Sequence, residues 1–225
     1  MSLMPVEEAL SRLLHGVDPI LETETVALRA AAGRVLADDI SALRTQPPFD
    51  ASAMDGYAVR AADAFKGAVL RVTGISAAGA AFAGAVEPGA AVRIFTGAPL
   101  PAGADTVLIQ ENATLEAPDA LRVDVAAEPT RHIRKAGLDF AQGAVLLQAG
   151  LHLRAGHVAL AASAGHPQLP VRRRPRVAIL ATGDELVMPG ESTGPDQIVA
   201  SNGFGLAAMV EAHGGDVLDL GIAPD

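Results

Sequence analysis

The chain has 225 residues, half of them hydrophobic and only 3% aromatic, with no cysteine and a formal charge of −9 at a sequence pI near 5.1. That composition supports a core built from Ala, Val, Leu and Ile, and it excludes disulfides, thiolate nucleophiles and cysteine-ligated metal centres. The acidic balance offers no field for nucleic acid, and no stretch reads as a secretion signal or bilayer span, so a cytoplasmic protein is expected that binds neither nucleic acid nor membrane.

At this length one to three compact units are expected. Val6, Ala9, Leu10, Leu13 and Leu14 recur at helical spacing between Pro5 and Gly16, which predicts an amphipathic helix over 5–15. The following ETVALRAAAGRVLADDI, Glu24 to Ile40, reads as strand, short helix, strand. After Pro47-Pro48 the runs VLRVTGI, AVRIFTG, TVLIQEN and LRVDVAA are separated by Gly, Pro, Asp and Asn, the pattern of a small β domain. A helix is predicted around RAGHVALAASAG.

From Val171 the texture changes. A basic stretch, VRRRPR, precedes the apolar run Val177 to Leu180, which is expected to be a parallel strand buried on both faces. Ser201-Asn202 is expected to cap a helix carrying Leu206, Met209 and Val210 on one face, Gly214-Gly215 to end it, and DVLDLG to form a second strand. This is a βαβ unit. One such unit cannot cover both faces of a parallel sheet, so the chain reads as the N-terminal part of a longer protein.

In an open α/β sheet, ligands bind beyond the carboxyl ends of the strands. Thr182-Gly183-Asp184-Glu185 follows the first strand and Asp225 follows the second, so Glu185 and Asp225 are expected on one rim, where they either share a divalent cation such as Mg2+ or simply occupy polar turns. Thr96, in the loop TGAP, offers a hydroxyl and backbone N–H groups for an oxyanion, although the same sequence also serves as an ordinary turn. Arg134 and Lys135, just before Gly137 and Asp139, form either an oxyanion-binding corner or a solvated one. The six histidines make no metal-ligand pattern. FDASAMDGYA, Phe49 to Ala58, concentrates two aspartates, a serine, a methionine and the only tyrosine, which is more than a turn requires.

Taken in order, FDASAMDGYA, RIFTGAPLPAGADTVLIQEN, IRKAGLDF, VAILATGDELV and DQIVASN resemble the molybdopterin molybdenumtransferase family, MoeA and the E domain of gephyrin. The resemblance implies a multidomain α/β and β architecture. Residues 1–46 and 135–170 would form an elongated mixed α/β domain, 47–134 an inserted β domain, and 171–225 the incomplete start of a doubly wound α/β domain that binds molybdopterin. It also implies insertion of molybdenum from molybdate into adenylylated molybdopterin with release of AMP, assisted by Mg2+ or another divalent cation, as an activity of the full-length protein.

Asp55, Thr96, Glu185 and Asp225 match the family's catalytic positions, with Glu185 and Asp225 as metal ligands. Asp139 matches a further position of the family's cleft, and with it Arg134, Lys135, Gly183, Asp184, Ser201 and Asn202 are expected as substrate contacts. The chain departs from the family where Val199-Ala200 precede Ser201 in place of an acidic residue. The resemblance further implies a homodimer with its site between subunits and a molybdopterin adenylyltransferase supplying the substrate. The alternative is a non-catalytic molybdopterin-binding or scaffold module.

Overall fold

The structure, a computed structural model, describes residues 4–225. It is a mixed α/β architecture made mostly of strands, and it separates into two units. One takes in the chain up to Ile40 together with Leu147–Ala162 and His166–Asp225; the other is Ser41–Leu146 with Ser163–Gly165.

The second unit is organised by a six-stranded sheet. In spatial order its strands are Thr106–Ile109, Gly56–Val59, Ala90–Ile94, Val69–Ser76, Ala120–Val123 and Ala113–Ala117. All neighbours run antiparallel except Val69–Ser76 and Ala90–Ile94, which are parallel. Side chains alternate between two faces, and both are buried. Tyr57, Val59, Ala91, Leu108 and Leu121 pack into one cluster, while Ala58, Val92, Ile94 and Val107 pack into another. Small residues are needed where the chain is crowded from both sides: a Cβ on Gly56 would lie 2.1 Å from the carbonyl oxygen of Leu108.

In the first unit, the amphipathic stretch forms the helix Val6–Leu14, one residue inside the expected bounds at each end, and none of its residues is buried. Thr23–Ala27 pairs antiparallel with Gln168–Arg172. Arg34, almost fully buried, stabilises this pairing by donating to the Glu24 carboxylate and, at 2.7 Å, to the carbonyl of Arg172. The expected second helix is Ala155–Ser163, where the Nδ1 of His157 accepts the backbone N–H of Arg154 at 3.1 Å and so satisfies a free donor at the helix start.

The βαβ unit is present as Arg176–Thr182, the helix Asn202–Ala212 and Asp216–Ala223, with the two strands parallel and Thr182 opposite Ala223. Two expectations are corrected here. The run Val177 to Leu180 is not buried on both faces: only Ile179 is buried, and Leu180, Leu218 and Leu220 are each more than half exposed. The reason is that this sheet has two strands and the helix packs on them, while among the described residues nothing covers the opposite side. Ser201 occupies the cap position but makes no side-chain cap hydrogen bond. Its backbone, at φ −111° and ψ −28°, is already helical rather than extended as a capping serine requires. Gly214, at φ +83°, does end the helix as expected.

Glycine substitutions test the crowding directly. Gly56→Ala is expected to destabilise the chain by about 1–3 kcal/mol, as overpacking against a backbone atom does, read as a lowered urea midpoint. Gly205→Ala, on an exposed helix position with nothing within 4 Å of the new methyl, is expected to raise stability by up to about 1 kcal/mol. A wild-type midpoint for Gly56→Ala would contradict the strand pairing described here.

Candidate functional site

FDASAMDGYA enters the six-stranded sheet by a chain of local bonds. Asp50 comes first: its carboxylate accepts from the ammonium of Lys135 at 2.7 Å and from the backbone N–H of Ala136 at 2.9 Å. Lys135, one of the expected substrate contacts, is therefore engaged with Asp50. Both bonds, the one to Lys135 foremost, hold the Asp50 carboxyl below its ordinary value of 3.8. Next, the buried Ser52 donates its hydroxyl to the carbonyl of Met54 at 2.6 Å, closing a turn.

Asp55 follows at the end of that turn, immediately before the strand Gly56–Val59. Its Oδ1 accepts two hydrogen bonds from one residue, the backbone N–H and the hydroxyl of Thr96, each at 2.8 Å. Thr96 lies two residues beyond the end of Ala90–Ile94, the strand paired with Gly56–Val59, and the register Gly56 opposite Ile94 brings the two loops together. The Thr96 backbone bond first, then its hydroxyl, and last the charge of Arg93 hold the Asp55 carboxyl below its ordinary value. Among the described residues Oδ2 accepts no hydrogen bond.

A cation that the sequence reading did not single out sits beside this pair. Arg93 is half-buried, with its guanidinium carbon 4.9 Å from the Tyr57 ring centroid and 5.1 Å from that of Phe95. It donates to the Gln110 side-chain carbonyl at 2.7 Å and, over a long 3.4 Å, to the carbonyl of Gly56. The available signal was a lone arginine within an otherwise apolar strand, followed two residues later by an aromatic. Arg134 and Asp139 are both exposed; Arg134 pairs through its backbone with Ala51, and the N–H of Asp139 donates to the carbonyl of Gln46 at 3.0 Å.

In the other unit, Gly183 is buried, at φ +145°, where a side chain would collide with the Glu185 carboxylate. Its N–H donates to the carbonyl of Ala223 at 3.2 Å, so the Gly183-Asp184-Glu185 turn and Ala223-Pro224-Asp225 leave the same edge of the two-stranded sheet. Asp184, Glu185 and Asp225 are exposed. No group of three or more His, Asp or Glu with metal-binding proximity occurs among the described residues. At this edge a cavity of about 490 Å³ opens at the start of the helix Asn202–Ala212, lined among others by Thr182, Leu186, Ile198, Ser201, Asn202 and Leu206. Ser201 and Asn202 thus face a cavity at the place an open α/β sheet offers a ligand. No helix of the described residues is long and apolar enough to cross a membrane.

Comparison with known proteins points to one family. The family model for the MoeA N-terminal region, domains I and II, matches residues 4–165. A molybdopterin molybdenumtransferase of Haemophilus influenzae is 37% identical over 223 residues, 99% of this chain and 55% of the relative. Molybdopterin molybdenumtransferase 2 of Mycobacterium tuberculosis is 39% identical, covering 97% of this chain and 54% of the relative. Among solved structures, a molybdopterin biosynthesis MoeA protein from Pyrococcus horikoshii OT3 superposes with a TM-score of 0.90 at 37% identity, covering all of this chain and 61% of that one. The chain spans about half the length of the curated relatives it matches.

The two depressed carboxyls make a pH prediction. Each has a folded pKa below its unfolded value of roughly 3.9, so its contribution is fully present above that value and is lost as pH falls through the folded one. The urea midpoint is expected to lose the contributions of Asp50 and Asp55 only below about pH 4. In Asp50→Asn and in Asp55→Asn the midpoint is expected to be lower at neutral pH and its acid decline shallower; parallel declines in all three proteins would remove these carboxylates from the linkage.

Proposed function

The chain belongs to the MoeA family through its N-terminal region, and from that premise we propose that the complete protein is a molybdopterin molybdenumtransferase acting in molybdenum cofactor biosynthesis, as its relatives are named. Its substrates are adenylylated molybdopterin and molybdate, and AMP is released as molybdenum joins the dithiolene. The observation that carries this reading is the Asp55–Thr96 pair: two residues 41 positions apart, each expected at the active site, are bonded to one another on the edge of the β unit.

In that reading Thr96 occupies Oδ1 and fixes the carboxylate plane, leaving Oδ2 to accept a proton or hydrogen bond from water or substrate. Like any carboxylate at or below its ordinary range, Asp55 is ionised at neutral pH and so is ready as an acceptor, and the Thr96 bonds fix which oxygen is free. The cavity beside Ser201 and Asn202 is the place for the pterin part, with Gly183 and Asp184 on the neighbouring turn. Arg134 and Lys135 are further contacts for the anionic groups of the substrate, Lys135 after exchanging its bond to Asp50, and Asp139 is a contact for its hydrogen-bond donors.

Glu185 and Asp225 would hold a divalent cation. Two hard oxygen donors on one sheet edge suit Mg2+, which takes one or two carboxylates and completes its shell with water and substrate phosphate. Bound there, the cation would supply charge neutralisation at the phosphates. A homodimer sharing the site between subunits, delivery of substrate by molybdopterin adenylyltransferase and a cytoplasmic location belong to the same reading.

AMP release from adenylylated molybdopterin by the complete protein, with Mg2+ and with or without molybdate, tests it. Acceleration by molybdate is expected, and Asp55→Ala and Glu185→Ala are each expected to reduce turnover at least about 100-fold, the lower end of what a group acting at the reacting centre contributes. Undiminished turnover in both variants would remove them from the reaction. Substrate binding without AMP release would make the protein a binding module instead.

A further inference from the structure

Asp55 is fixed on one side by Thr96, which governs where its carboxylate lies. The other side of the same corner is the peptide that links Asp55 to the strand, and its fixation comes from a separate set of residues. The backbone N–H of Gln110 donates to the carbonyl of Asp55 at 3.1 Å. The side chain of the same Gln110 accepts from Arg93 at 2.7 Å, and Arg93 reaches on to the carbonyl of Gly56 at 3.4 Å.

Arg93 cannot easily swing away from this position. Its guanidinium lies over the Tyr57 and Phe95 rings, at 4.9 and 5.1 Å, where cation–π attraction adds to the hydrogen bonds. In the register of the sheet Arg93 stands opposite Tyr57 on one side and Ile75 on the other, so no second cation on those neighbours competes for the place. The carboxylates around this corner are Asp55, which feels the Arg93 charge, and Glu111, which accepts from the Gln110 amide at 3.3 Å. Gln110 therefore gives its carbonyl oxygen to Arg93 and its amide to Glu111, an orientation that leaves its side chain no free choice.

We propose that Arg93, clamped by Tyr57, Phe95 and Gln110, is a positioning residue that locks the Asp55-Gly56 corner and so sets the direction in which the Asp55 carboxylate meets the substrate. This rests on the reading of Asp55 as an active-site group. A planar fork is required, because one side chain has to reach the Gln110 oxygen and the Gly56 carbonyl while stacking on aromatic rings. An ammonium has the charge but not that geometry. The guanidinium charge also favours the ionised carboxylate nearby.

The test uses the complete protein and three variants, Arg93→Gln, Arg93→Lys and Asp55→Asn, with two readouts. The first is the pH profile of AMP release. Arg93→Gln is expected to lower kcat about tenfold or more with KM changed less than about twofold, as loss of an interaction acting in the transition state does, and to move the acidic limb to higher pH. Arg93→Lys is expected to restore the limb but not kcat.

The second readout needs no turnover: the NMR shift of the Thr96 amide, which donates to Asp55, followed against pH. Its midpoint is expected to rise in Arg93→Gln and to stay near wild type in Arg93→Lys. Wild-type kcat and an unmoved Thr96 midpoint in Arg93→Gln would overturn the proposal, while an inactive Asp55→Asn in the same experiment would leave the role of Asp55 standing. Full activity of Asp55→Asn would instead overturn the role of Asp55 itself, and with it any effect of Arg93 on turnover; an unmoved midpoint would then show that Arg93 does not act on Asp55 at all.

Discussion

The missing side chain at Gly56 is the constraint on which the β unit turns. Its strand is buried at all four positions and paired on both edges, and the Leu108 carbonyl oxygen occupies the space a Cβ would need. Because that approach is possible, Thr106–Ile109 closes against one edge of the strand while Ala90–Ile94 closes against the other, and the loops leaving both neighbours converge on Asp55. Gln110 follows the first of these strands and Thr96 the second, so the two residues that hold Asp55 arrive from opposite sides of it. The geometry of the carboxylate is in this sense a product of backbone packing.

Charge is distributed around that centre with little redundancy. Asp50 is neutralised by Lys135, whereas Asp55 has no ion-pair partner within contact distance among the described residues and is stabilised by the two Thr96 donors and by a cation in the next strand. A carboxylate held by neutral donors keeps its charge and retains an unoccupied oxygen. One held by a bidentate cation would have spent both. The buried Arg34 in the other unit has a contrasting role, since its bonds go to a strand partner and a backbone carbonyl and serve the fold.

How far this was legible in the amino-acid sequence depends on the range of the interaction. The helix Val6–Leu14 and the strands Val69–Ser76, Ala90–Ile94 and Thr106–Ile109 were visible because their periodicities are local. The strand Ala113–Ala117 was not, since ATLEA carries a charge and no apolar run, and it forms at a sheet edge through pairing with Ala120–Val123. The order of the six strands depends on contacts tens of residues apart. Thr96 stands out by its TGAP loop and Asp55 by resemblance; their spacing of 41 residues says nothing about a bond between them, which exists only because Gly56 and Ile94 are in register. Arg93 was missed because a charge inside a strand looks like an alternation to solvent unless the flanking rings are known to close over it.

The uncovered side of the βαβ unit has a colloidal consequence. Leu180, Leu218 and Leu220 stand exposed on its two strands, and apolar area of that kind attracts its like at any pH. What opposes the attraction is the net charge of −9, which fades as pH approaches the sequence pI near 5.1. Where further chain covers this face, as the greater length of the relatives allows, the same leucines turn from a source of adhesion into the inner layer of a packed sheet.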